Sequence, residues 1–194
     1  MIVDLLNYGA AAQQATGYKS DALVNKDLTA AQLAYGTPAA NFVEPTSDLS
    51  QVNKITEGVL VKWNNPNMLL GDKVDLGIYF TATSLDGFTI EISYGDTVET
   101  ITAENMDEWV TAAPTDANPD RYRLNVNGVG MHQMREPITF VAYDADGNQV
   151  SSSVLTYSIQ SFAAGKTTTS TATGRLFRAL ITYGDAAKAY VDSL

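Results

Sequence analysis

Hydrophobic positions fall at helical spacing near both ends of the chain and alternate with polar ones in its middle. Residues 1–16, MIVDLLNYGAAAQQAT, are rich in Ala and Leu and read as a helix ended by Gly17. A short helical stretch is predicted over 20–36, with Asp27 as a cap and Gly36 closing it. Residues 37–53, which carry Pro38 and Pro45, read as a connection.

From Ile55 the period becomes two. VLVKW (59–63), KVDLGIYF (73–80), FTIEISY (88–94), TVETIT (97–102), RYRLNV (121–126), PITFVAY (137–143) and VSSSVLTYSI (150–159) read as strands. NNPN, LDG, YGD and DADGN supply the turns, and residues 106–120 read as an irregular excursion or a single helical turn. Past a Thr-rich connection, helical spacing returns over 173–192, with Leu176, Leu180, Tyr183 and Ala187 on one stripe. The predicted fold is a mostly-β, antiparallel, immunoglobulin-like sandwich of about seven strands, flanked by N- and C-terminal helices. Its parts are a helical N-terminal segment (1–50), the sandwich (51–162), and a connection with a C-terminal helix (163–194).

The two terminal helices echo each other. At an offset of 175, Leu5 meets Leu180, Tyr8 meets Tyr183, Gly9 meets Gly184, and Ala11 and Ala12 meet Ala186 and Ala187. Small residues on one helix face let a neighbouring backbone come close. The echo suggests a unit of a repeating array whose first helix closes the unit before it. The uncapped apolar start of residues 1–16 points the same way, to a piece of a longer protein. Convergence of two ends on tightly packing small residues is the plainer alternative.

Composition narrows the function. Lys plus Arg number 12 against 22 Asp plus Glu, a net charge of −10 that repels phosphate backbones and anionic lipid, so neither nucleic acid nor a membrane surface is an expected partner, and with no apolar run of 18 residues no membrane insertion is expected. The absence of cysteine removes disulfides, thiolate metal sites and cysteine nucleophiles. The blocks LLNYGAAAQ, YDADGNQVSSSVLTYSIQSFA and LFRALITYGDAAKAY resemble a module of large secreted or wall-attached proteins of gut Firmicutes, often in tandem beside immunoglobulin-like domains. The resemblance covers both ends and residues 120–190. It implies an extracellular or cell-surface setting, with neighbouring domains of the same polypeptide as partners, and carries no catalytic signature.

Several motifs tempt chemistry. SFAAGKTTTS lacks the glycine a phosphate-binding loop needs at position 160, where Gln160 stands. Asp144, Asp146 and Asn148 resemble the front of a calcium loop, but Ser153 stands where the bidentate Glu belongs, so a hairpin is the simpler reading. His132 is the only histidine, which excludes a multi-histidine metal site. No motif selects a carboxylate pair, so no catalytic residue and no cofactor is assigned. Trp63 is expected in the core, whereas Trp109, with Tyr94 and Tyr122, could offer flat faces to a polysaccharide. The expected function is a non-catalytic spacer or interaction module. A carbohydrate-binding module is the alternative, and a glycoside hydrolase-associated or hydrolytic domain comes third.

Overall fold

A computed structural model describes residues 1–47, 59–71 and 73–194. The expected strand onset near Ile55, the predicted boundary at 50/51 and the end of the 37–53 connection lie outside the described residues. The chain divides into two compact units. One comprises residues 1–47, 130–135 and 163–194, the other residues 48–129 and 136–162.

The second unit contains β1 (Lys62–Leu70), β2 (Val74–Thr81), β3 (Thr89–Tyr94), β4 (Thr97–Ile101), the helical turn that enters it in the chain, β5 (Val110–Ala112), β6 (Arg121–Val126), β7 (Ile138–Tyr143) and β8 (Leu155–Tyr157). They form two antiparallel four-stranded sheets, ordered β1-β2-β6-β5 and β4-β3-β7-β8. The sandwich-like β fold is therefore present, with eight strands among the described residues instead of about seven. Helix and strand occur in comparable amounts among the described residues, so "mostly β" overstates the whole chain. The extra strand, β5, hides in the stretch expected to be irregular. It is three residues long, too short for alternation to register, and pairs with β6 through Val110–Leu124.

NNPN is also not a turn. Asn64–Asn67 lie within β1, which shifts register between Trp63 and Pro66. β1 is a sheet edge, where a proline removes no ladder bond that the sheet requires, and the irregularity absorbs the missing N–H.

The core lies between the sheets. Leu76, Ile78, Phe80, Ile90, Ile92, Leu124, Phe140 and Leu155 are buried along it. Trp63 joins the layers, edge-on to Phe80 of its own sheet at 5.9 Å and to Phe140 of the other at 6.3 Å. Its indole N–H donates to the Ser153 carbonyl at 2.9 Å, and the Ser152 hydroxyl accepts from its backbone N–H at 3.2 Å. The serines of VSSSV thus replace regular ladder bonds, which is why β8 is shorter than the alternation predicts. Just before β1, the Leu60 and Val61 N–H groups donate to the Val150 carbonyl, tying the first sheet's leading segment to the second sheet.

The first unit contains α1 (Ile2–Ala15), α2 (Ala30–Ala34) and, near the chain's end, a 20-residue helix, Ala172–Val191. Between them in sequence lie α3 (Met106–Trp109) and α4 (Ile159–Ala163), so the long helix is α5. The expected 20–36 helix is only a 3-10 turn at Ser20–Ala22 followed by α2. Thr29, not Asp27, caps α2: its hydroxyl accepts from Gln32 N–H while Gln32 reaches back to the Thr29 N–H.

Candidate functional site

The terminal echo meets itself in space. Tyr8 of α1 stacks on Tyr183 of α5, with ring centroids 6.1 Å apart and planes 16° from parallel. Gln14, near the end of α1, accepts from Arg175, near the start of α5, at 3.3 Å. As α1 descends α5 ascends, so the pair is antiparallel. An offset of 175 and this reversed direction coincide only near Tyr8 and Tyr183, so a local pseudo-two-fold axis passes through the stacked rings. Burial, and the second phenol beside it, push the Tyr8 hydroxyl above its ordinary pKa.

The paired glycines do matching jobs. A Cβ on Gly9 would come 3.0 Å from Val24 Cγ2, whereas one on Gly184 would come 2.7 Å from Met134 Cγ and 3.0 Å from the Met131 carbonyl oxygen. Each helix thus turns its tyrosine to the other and its glycine to a supporting segment. For α5 that support is residues 130–135, which include a 3-10 turn at Met131–Gln133. Arg135 clamps it with a two-point ion pair to Asp185, Nε–Oδ1 2.6 Å and Nη2–Oδ2 2.8 Å, and also reaches the Val43 carbonyl.

A cleft of about 300 Å³ opens beside the pair, lined in part by Asp4, Asn7, Gln14, Phe42, Arg175 and Arg178. Its polar groups are already tied to one another. Asp4 is buried and accepts from Thr37 N–H at 2.7 Å. Burial alone would raise its pKa, but that bond and the amino group of Met1 outweigh it and hold the carboxyl low. Asn25 donates to Asn7 at 2.9 Å, and Arg178 lies 3.9 Å over the Phe42 ring while bonding Glu44. Glu44 also accepts from the buried Thr167, which ties the Thr-rich connection into the same bracing. The cleft presents a braced framework of polar groups.

The three predicted ligand-contact aromatics are not gathered on one surface. Tyr122 lies on β6 opposite Phe80 and stacks on it at 5.5 Å, so one ring face is spent on the core. Trp109 ends α3, half-buried, and its carbonyl accepts from the Asn125 side chain. Tyr94 ends β3 on the other sheet, where it lines a shallow cleft of about 360 Å³ with Ser93, Glu136, Pro137 and Thr139.

Asp144, Asp146 and Asn148 form a hairpin tip. The Asp144 carboxylate accepts from the N–H groups of Asp146 and Asn148 and from the Asn148 amide, and Gly147 sits at φ +80°. Those bonds, the Asn148 amide's foremost, draw the Asp144 pKa down. Among the described residues no three His, Asp or Glu side chains gather as a metal site requires, and no helix is long and apolar enough to cross a membrane. His132 sits in the 3-10 turn beneath α5.

Sequence reasoning passed over Asp4, Glu44, Arg135 and Arg178, all members of the helix unit's polar bracing. Only Asp185 carried a signal, as a charged residue where the first helix has Ala10. The chain matches no protein-family profile, no curated protein and no solved structure.

Proposed function

We propose that the protein is a non-catalytic structural and interaction module of an exported bacterial surface protein, holding neighbouring domains in position. The observation that carries this reading is the closure of the terminal echo into a helix pair through Tyr8 and Tyr183. Effort in the sequence goes into matching two helices. The sandwich fits the same role. Its order, β1-β2-β6-β5 and β4-β3-β7-β8, is the immunoglobulin constant-type arrangement with one strand, β4, added beside the third. The resemblance to gut Firmicutes surface modules supports an extracellular setting.

A second reading rests on the Tyr94 cleft. An aromatic face beside Ser93, Thr139 and Glu136 has the apolar-plus-polar character that recognises a sugar ring.

One experiment separates the two: titration of the purified chain with plant and mucin polysaccharides, followed by calorimetry and intrinsic fluorescence. The module reading expects no saturable response. A sugar-selective response abolished by Tyr94→Ala or Trp109→Ala replaces it with carbohydrate binding.

A further inference from the structure

The antiparallel pairing of α1 and α5 sets their residues in rungs along the cleft beside them. Gln14 meets Arg175 directly, at 3.3 Å. Carried along the helices, that pairing places Ala10 opposite Ala179 and Asn7 opposite Thr182, and all of these line the cleft of about 300 Å³. Asn7 and Gln14 are seven residues apart, as are Arg175 and Thr182, so at 1.5 Å per residue the end rungs stand about 10 Å from each other. Between them lie only small residues of the two helices and Arg178, so the cleft is a trough with an alanine floor and polar ends.

The bonds that brace this trough leave part of each end unused. Of the charged residues lining it, Asp4 is matched by the Met1 amino group and Arg178 by Glu44. Arg175 bonds only neutral acceptors, the Gln14 side chain through Nε and the Thr169 carbonyl through Nη1 at 3.0 Å. Its Nη2 has no partner among the described residues, so this end presents a positive charge and a free N–H edge. At the other end Asn25 donates to Asn7 at 2.9 Å. That bond leaves the Asn7 amide N–H groups as donors and the Asn25 side-chain carbonyl as an acceptor, side by side.

We infer that this trough binds the carboxyl-terminal end of a partner peptide, with the terminal carboxylate at Arg175 and a preceding peptide group at the Asn7–Asn25 pair. A guanidinium edge and a carboxylate match in charge and in plane. A peptide group carries one donor and one acceptor, the complement of what the amide pair leaves unfilled. An extended chain rises about 3.3 Å per residue, so three residues cover the distance between the end rungs. An inorganic anion or a lone carboxylate would satisfy the arginine end only. Charge is distributed to suit an anionic guest. The first unit carries seven Lys and Arg against six Asp and Glu, whereas the other carries five against sixteen. The site goes beyond the module reading and does not depend on it.

The test is calorimetric titration of the complete chain with three probes: N-acetyl-trialanine with a free carboxylate, the same peptide as its carboxamide, and acetate. The free acid should bind with a Kd on the order of 1 mM or lower. The carboxamide and acetate should each bind at least about ten times more weakly, the first for want of charge and the second for want of the peptide group. Arg175→Gln should remove the preference for acid over carboxamide. Asn7→Ala should weaken both peptides by a similar factor, with circular dichroism and the unfolding midpoint reporting a native fold. Should either variant unfold, the comparison of probes on the unaltered chain decides alone. Acid and carboxamide bound alike, acetate bound as tightly as the tripeptide, a preference that survives Arg175→Gln, or no saturable heat from any probe would each overturn the proposal. Polysaccharide binding in the preceding titration would overturn the module reading without touching these outcomes.

Discussion

Gly9 and Gly184 occupy the same place in the echoed motif yet face neighbours of different stiffness. Alanine at either gains about 1 kcal/mol of helix propensity. At Gly9 the new methyl meets only the end of a half-exposed valine, which can turn away. At Gly184 it meets the stem of buried Met134 and a backbone carbonyl, and overpacking of that kind costs about 1–3 kcal/mol. Urea unfolding should therefore show Gly9→Ala unchanged or more stable and Gly184→Ala less stable, by about 1 kcal/mol net. Asp4 is the other residue whose effect has a definite sign. Its folded pKa lies below the unfolded value near 3.9. The stability it contributes is thus complete above about pH 4 and is lost as pH falls through the lowered folded value. Asp4→Asn keeps an acceptor for Thr37 but not the charge. The wild-type advantage over it should hold from pH 7 to 5 and shrink below pH 4, read from unfolding midpoints across that range.

At the scale of elements, the helix pair braces the first unit and the Trp63 junction braces the second. Aromatic pairs contribute about 0.5–1.5 kcal/mol beyond burial, so a double-mutant cycle on Tyr8→Ala and Tyr183→Ala should give a coupling in that range. Trp63→Phe removes ring volume and the indole donor to Ser153, and should destabilise the sandwich by about 2–3 kcal/mol in thermal or denaturant unfolding. Elements with long, clean periodicity were legible from sequence: α1, α5 and most strands fall within a residue or two of expectation. The failures have physical causes. β5 is too short to show a period, β1 runs through a proline that only an edge strand admits, and β8 gives way where serine hydroxyls replace ladder bonds. The candidate site was half-legible. The echo could be read directly, because identical spacing survives translation. Its meaning could not, because which face of each helix is covered depends on segments far away in the chain, such as Met131–Arg135 beneath α5. The aromatics misled for the same reason: alternation says that a ring points to one side of a sheet, not that Phe80 already occupies the face of Tyr122.

On the scale of the whole molecule, the antiparallel sense of α1 and α5 brings Met1 to the end of the pair where α5 finishes. Force applied at Met1 and Leu194 would act on neighbouring points. Such a load opens the pair turn by turn from that end, where shear on a parallel pair would have to break all its contacts at once. Pulled by handles at Met1 and Leu194 in an optical trap, the chain should lengthen first by a few nanometres at low force as α1 peels off, reversibly, before the sandwich gives way. Tyr8→Ala should lower that first force and leave the second unchanged. The matched helices would then serve as a mechanical fuse, yielding early and re-forming when the strain is released.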